Sequence, residues 1–388
     1  MENFSYNLPT NIVFGQDQIK NLKTLLKKEK VQRMLLVYGK AAIKKLGIYD
    51  YILAVAKDLD IAIFEESGVA ANPDMKSVLS GQKIVQDQNI DFILAAGGGS
   101  VIDCAKAIAL SYKLKASEVW AVFMHKQTFE EALPLGTILT LAATGSETNG
   151  NTVISYREIA DKRSVASQKL VPKFSIIDPS YTLSVPKHHT IAGSIDMMMH
   201  IFEQYFSPTL HTSTSDYMSL GLLKSIIENT EKILAKKDSY AVRANLSWAA
   251  TLALSWLLQQ GKTGDWASHR LSYPITVDYG ITHGYALAII QPAWMKVMLD
   301  KNPDVMAPRL AQLGQFLYDI NDAQAVIKQI METFKTFGAA VTFKEANVDL
   351  SEEAIKRMAE KSVALGPVGN VVKIDQSLAE AIFRTAKA

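Results

Sequence analysis

Asp196 and His200 stand four residues apart in the run Gly193-Ser194-Ile195-Asp196-Met197-Met198-Met199-His200-Ile201-Phe202-Glu203-Gln204-Tyr205. Good helix formers dominate this run and nothing interrupts it after Gly193, so it predicts a helix. On a helix, both side chains then leave one face with Cβ atoms roughly 5–6 Å apart. A carboxylate and an imidazole placed that way can grip one divalent cation. Glu203, three residues further on, is near enough to support His200 from behind. Alone, an Asp-x3-His pair is more often an ion pair on a solvated face. Two other stretches change that balance. Asp265-Trp266-Ala267-Ser268-His269 and Gly280-Ile281-Thr282-His283-Gly284 each present a histidine in apolar or glycine-flanked surroundings, whereas His125, His188, His189 and His211 sit among polar neighbours. One carboxylate with three neutral imidazoles makes an open site for Fe(II) or Zn(II), with a position left for substrate. Met197, Met198 and Met199 read as core and pocket wall rather than as ligands.

A second kind of chemistry is written upstream. Gly97-Gly98-Gly99-Ser100 follows the apolar run Phe92–Ala96 and opens the helical pattern beginning Val101-Ile102-Asp103. Consecutive glycines let the backbone come close to a phosphate, and a helix N-terminus offers free N–H groups and a favourable dipole. The spacing is not G-x-G-x-x-G, and a plain tight turn reads almost as well. Thr140-Leu141-Ala142-Ala143-Thr144-Gly145-Ser146-Glu147, after the apolar run Leu135–Leu139, is another polar loop whose hydroxyls suit a sugar and pyrophosphate. Cys104 reads as a small buried helix residue.

The elements that must position these residues divide into two kinds. Up to about Pro179, short apolar strands alternate with amphipathic helices: Asn11–Gly15, Arg33–Tyr38, Ile61–Phe64 and Asp91–Ala96 as strands, Tyr51–Asp58 and Asp74–Gln88 as helices. That alternation predicts a Rossmann-like parallel sheet in an α/β dinucleotide-binding domain, with ligands at the carboxyl ends of its strands. Beyond Asp178-Pro179, long helical patterns take over, including Leu220–Lys236, Ala241–Gln260 and Ser351–Leu365. The expected division is residues 1–182 as the α/β domain and residues 183–388 as an all-α metal-binding domain. The 388 residues suffice for two cores. A net charge of +2 without a long basic run argues against nucleic acid as a partner. A single cysteine excludes an internal disulfide and cysteine-rich metal sites. The start has no basic region followed by an apolar core, and no apolar run is long enough for a bilayer, so a cytoplasmic protein away from membranes is expected.

Taken together, these motifs resemble the iron-containing, group III alcohol dehydrogenases, and within them the butanol dehydrogenase-like, NAD(P)H-dependent aldehyde reductases. The resemblance runs almost end to end, through Asn11-Ile12-Val13-Phe14-Gly15, Gly97-Gly98-Gly99-Ser100-Val101-Ile102-Asp103, Thr144-Gly145-Ser146-Glu147, Asp196-x3-His200-x2-Glu203, Asp265-Trp266-Ala267-Ser268-His269 and Ile281-Thr282-His283-Gly284. It implies metal-ligand roles for Asp196, His200, His269 and His283. It implies pyrophosphate contact at Gly98, Gly99 and Ser100, next to Gly97. Asp103, Thr140, Thr144 and Lys162 match positions lining the cofactor site. A small alcohol or aldehyde as substrate and a homodimer are implied as well. A metal-dependent lyase of the dehydroquinate synthase kind is the rival reading. It would need basic groups in the helical half for a charged substrate, and the surroundings of the four candidate ligands are mostly apolar.

Two departures matter. Where relatives often carry Gly-Gly-Gly-Ser after the second strand, this chain has Gly39-Lys40-Ala41-Ala42. An acid at that strand end would bind the ribose 2′-OH and repel a 2′-phosphate. With Gly39-Lys40 there and no acid before Asp50, NADP(H) is expected to be preferred over NAD(H). Four residues after His269, where relatives commonly have another histidine, stands Tyr273, followed by Pro274, which disfavours helix at Tyr273. Tyr273 is expected to be a pocket wall, with a role as proton donor the alternative.

Overall fold

Side chains of the central strands alternate between two cores, which is why the sequence reads as continuous apolar runs rather than as alternating polar and apolar residues. In the computed structural model, which describes all 388 residues, Leu35, Val37, Ile93 and Ala95 point into one core. Met34, Leu36, Phe92 and Leu94 point into the other, on the opposite face. The strands are β1 (Asn11–Phe14), β2 (Arg33–Tyr38), β3 (Ala62–Glu66), β4 (Phe92–Gly97), β5 (Leu135–Leu139), β6 (Asn151–Tyr156), β7 (Asp161–Ala166) and β8 (Phe174–Ile177). Six form one sheet in the order β1-β8-β5-β4-β2-β3, and every pairing in it is parallel. The loops after β2, β4 and β5 therefore leave the same end of the sheet, and β4 lies between the other two. β6 and β7 form a separate antiparallel hairpin.

The chain divides into two compact units. One comprises Asn7–Val185 with Ser239–Thr251, and holds the sheet and the hairpin. The other comprises Met1–Tyr6, Pro186–Asp238 and Leu252–Ala388. It is mostly helical, and the helices Lys187–Tyr205, Ala267–Tyr279 and His283–Lys301 are among its elements. The first of these starts at Lys187, after Pro186, one and a half turns before Gly193; Pro186 sits where a missing N–H costs nothing. Ala267–Tyr279 continues through Pro274, contrary to the expectation that Tyr273-Pro274 would leave helical geometry. Leu271, Tyr273, Pro274 and Ile275 are all buried, and that packing outweighs the local bias of a pre-proline residue. No helix is long and apolar enough to cross a membrane.

Candidate functional site

Asp196 and His200 project from the buried Lys187–Tyr205 helix, His269 from the first turn of Ala267–Tyr279, and His283 from the first residue of His283–Lys301. Their side chains converge on one carboxylate oxygen. Asp196 Oδ1 lies 3.8 Å from His200 Nε2, 3.8 Å from His269 Nε2 and 3.7 Å from His283 Nε2. The Asp196, His200 and His269 ligand atoms all fall within 4.8 Å of one another. These distances are too long for hydrogen bonds. They are close to the edges of a tetrahedron built on metal–ligand bonds of about 2.0–2.2 Å, which measure about 3.3–3.6 Å. Asp196 Oδ1 and His269 Nε2 are buried without any hydrogen-bond partner. Leaving such atoms unpaired costs roughly 1–3 kcal/mol each, and a divalent cation would satisfy both. One carboxylate with imidazoles is a donor set for Fe(II) or Zn(II).

The electrostatics favour the ligand form at Asp196 and His200, and a protonated imidazole at His269 until a cation displaces its second proton. Burial pushes the Asp196 carboxyl up, but His200, His269 and His283 around it hold it below the ordinary range, as carboxylate. Burial lowers His200 to about 4, so its imidazole is neutral with a lone pair to give. Burial acts the same way on His269, but there Asp196 and Glu203 prevail and raise it to about 9.

Glu203 does not reach back to His200 as the spacing suggests; it holds His269. Its Oε1 accepts the backbone N–H of His269 at 2.8 Å and lies 3.0 Å from His269 Nδ1. Once the Nε2 proton is displaced, the proton held on Nδ1 leaves the Nε2 lone pair aimed at the cluster. Asp265 fixes the same segment. Its carboxylate accepts Ala267 N–H at 3.2 Å, and Asn370 and Val371 N–H at 2.7 Å each. Ser272 Oγ lies 3.4 Å from His283 Nδ1. Replacing Glu203 by Ala strips His269 of both contacts and should weaken metal retention by about 10–100-fold; competition with a chelator on refolded, metal-loaded protein reads this directly.

Tyr273 is 9% exposed, with its ring 6.1 Å from that of His283 and the Arg270 guanidinium 6.0 Å above it. Met197, Met198 and Met199 are 0–1% exposed and belong to the core.

The glycine loop lies in the other unit. Gly98 caps the helix Gly99–Ser111, which begins two residues earlier than the run Val101-Ile102 suggests. A Cβ on Gly99 would lie 2.3 Å from Thr144 Oγ1, so the β4 and β5 loops touch only because residue 99 has no side chain. Thr140 N–H bonds to Gly97 O at 3.0 Å. Asp103 is engaged by its own fold: one oxygen accepts Ser146 Oγ at 2.6 Å and the other Val153 N–H at 3.0 Å. Lys162 Nζ lies 3.0 Å from Asn72 Oδ1. Lys106 is a further residue of this site, one that no motif in the sequence marks. It is fully buried and its ammonium donates to Ser146 O, Ser146 Oγ, Asn149 O and Asn151 O at 2.6–2.9 Å, pinning the loop that follows Thr144. A lone lysine in the apolar run Val101–Leu110 was the available signal. At the end of β2, Gly39 is partly exposed and Lys40 exposed. The acid beside this strand end comes from β3: Glu65 accepts the Tyr38 hydroxyl at 2.5 Å and the Tyr49 hydroxyl at 2.7 Å.

A parallel sheet with a glycine loop opening a helix, in a chain that also gathers a carboxylate and three imidazoles, defines a class: nucleotide-dependent enzymes with a single metal. Comparison with known proteins narrows it. Residues 9–179 match the family model for iron-containing alcohol dehydrogenase, and residues 190–387 match the model for the C-terminal part of the Fe-containing alcohol dehydrogenase family. The chain belongs to the iron-containing alcohol dehydrogenase family. It is 38% identical to a probable NADH-dependent butanol dehydrogenase 1 of Bacillus subtilis, over 97% of each chain. It is 32% identical to the NADPH-dependent aldehyde reductase YqhD of Escherichia coli, over 90% of each. The crystal structure of an NADH-dependent butanol dehydrogenase A from Thermotoga maritima superposes with a TM-score of 0.94 at 33% identity, covering 100% of this chain and 99% of that one. The protein is a metal-dependent alcohol dehydrogenase and aldehyde reductase, an oxidoreductase that works with NAD(P)H and one metal ion on small alcohols and aldehydes. Nothing in these likenesses favours the lyase reading.

Proposed function

We propose that the protein reduces short to medium aliphatic aldehydes, with Asp196, His200, His269 and His283 as the ligands of its one metal. The observation that carries this is the approach of three imidazole nitrogens to within 3.8 Å of a single, otherwise unpaired carboxylate oxygen. When bound, the cation supplies Lewis acidity toward a carbonyl oxygen, and the nicotinamide supplies the hydride. The chain's own work is to hold the donors. Glu203 fixes the tautomer of His269, and burial keeps His200 neutral. Fe(II) and Zn(II) both suit the donors, and the family tilts the choice to iron. Gly97, Gly98, Gly99 and Ser100 would receive the pyrophosphate, with Asp103, Thr140, Thr144 and Lys162 around it, all within residues 1–182. The metal belongs to residues 183–388. A homodimer in the cytoplasm, with no nucleic-acid or membrane partner, completes the reading. Loss of NADPH or NADH absorbance on adding butanal to protein of measured metal content tests it. No loss from a metal-replete sample with either cofactor sinks it.

The cofactor preference rests on Gly39 and Lys40. No acid stands between Tyr38 and Asp50, and Glu65 is occupied by two tyrosine hydroxyls. A 2′-phosphate would meet the Lys40 ammonium rather than a carboxylate. NADPH should therefore show the higher specificity constant. Relatives are named for either cofactor, so a constant for NADH well above that for NADPH is the result that overturns this.

Tyr273 serves as wall rather than acid. A phenol has an ordinary pKa of about 10, far from a good proton donor near neutrality. Tyr273→Phe should keep kcat/KM for butanal within about tenfold of wild type. A drop in kcat of roughly a hundredfold or more with metal intact would make Tyr273 the acid.

A further inference from the structure

Thirteen non-glycine residues adopt a left-handed backbone, and all but two are Asp, Asn, Lys, His or Ala; the exceptions are Trp256 at φ 66° and Trp266 at φ 65°. For side chains of that bulk the conformation is an outlier that persists only where the surroundings enforce it, and such outliers gather at functional sites. These two are also neighbours. Their ring centroids lie 5.5 Å apart at an interplanar angle of 58°. The Trp266 indole N–H donates to Gln259 Oε1 at 2.9 Å. Trp266 is the residue at which the chain enters the Ala267–Tyr279 helix, so its ring is placed by the same turn that places His269. The two rings are 5.8 Å apart. Neither indole is fully buried.

We infer that Trp266, braced by Trp256 and oriented by Gln259, is the specificity-determining surface that receives the hydrocarbon tail of the aldehyde. This rests on the aldehyde-reductase reading and on His269 as a metal ligand. An aldehyde oxygen directed at the Asp196–His269 cluster leaves the rest of the molecule within reach of a ring next to His269. That ring has already given its only donor to Gln259, so the surface it offers is apolar. It rewards an unbranched alkyl tail and leaves a hydroxylated or charged one without partners. The left-handed backbone at both residues keeps the pair from turning away, so the surface is set before substrate arrives.

The test is the slope of kcat/KM against chain length, measured on metal-loaded enzyme from acetaldehyde to hexanal. Each methylene that packs on the indole should raise kcat/KM by about fourfold. Trp266→Ala should cut the hexanal-to-acetaldehyde ratio by about tenfold or more. Gln259→Leu, which leaves the ring but unties its N–H, should cut it by about threefold. A purely structural role would lower all the aldehydes by one common factor and leave the ratio alone. An unchanged ratio in both variants overturns the inference. If Trp266→Ala loses its fold or its metal, Gln259→Leu and Trp256→Phe decide on the same ratio. A wild-type enzyme that reduces no aldehyde overturns the activity reading and this one with it, whereas a flat series from an active enzyme overturns this one alone.

Discussion

His269→Ala should leave a folded protein that neither retains metal nor reduces aldehydes. The imidazole is one of three arranged about Asp196 Oδ1, which makes four candidate donors in all, and its Nε2 is buried with no other partner. Structural sites with four protein ligands hold zinc by about 10–16 kcal/mol in apparent terms. Removing a quarter of that set forfeits roughly 2.5–4 kcal/mol, which weakens binding by about a hundred- to a thousandfold. The second consequence falls on Glu203. It keeps the backbone N–H of residue 269 but loses the ring at 3.0 Å, so a buried carboxylate is left one partner short. Some loss of stability should accompany the loss of metal, and circular dichroism separates the two. Metal content by plasma mass spectrometry and kcat/KM for butanal should fall together. Full metal content in the variant would remove His269 from the ligand set, whatever happened to the rate.

The strands that carry the phosphate loops were legible because both faces of a parallel sheet are buried. β2 and β5 lie where their apolar runs placed them, and β4 is displaced by one residue. The hairpin β6–β7 was not legible. Its strands mix Ile154 and Val165, which join the apolar core, with Lys162 and Arg163, which are buried through a hydrogen bond and an ion pair, so no clean period shows in the sequence. In the helical unit, the Asp196–His200 spacing was readable from helix geometry alone. The approach of His269 and His283 was not, because no local period links residues so far apart in the chain. The role of Glu203 shows the same limit. Helical spacing pairs it with His200, yet its carboxylate turns to a neighbouring helix and meets His269. Lys106 is the converse case: an ammonium group argues for exposure, its apolar neighbours for burial, and four oxygens within 2.9 Å make burial tolerable.

The helices that carry the candidate ligands also have to come close, and one residue decides whether they can. Gly284 follows His283 at the start of its helix and is buried. A Cβ added there would stand 2.0 Å from the carbonyl oxygen of Ala192, 2.8 Å from its carbonyl carbon and 3.0 Å from its Cα. All three atoms are backbone of the Lys187–Tyr205 helix, one turn before Asp196, so no side-chain rotation relieves the clash. Two effects oppose each other in Gly284→Ala. Alanine gains about 1 kcal/mol of helix propensity over glycine. Overpacking a rigid contact costs typically 1–3 kcal/mol and more where only backbone can move. The clash should win, because relieving it means shifting one helix against the other by more than 1 Å, a scale set by ordinary carbon–oxygen contacts of about 3.3 Å. That shift acts on the one distance that brings His283 into the cluster, 3.7 Å to Asp196 Oδ1. The variant should melt at lower temperature than wild type and lose metal to a chelator at least about tenfold more readily. A raised melting temperature would mean that propensity outweighed packing. Unchanged metal retention at a lowered melting temperature would detach His283 from the ligand set.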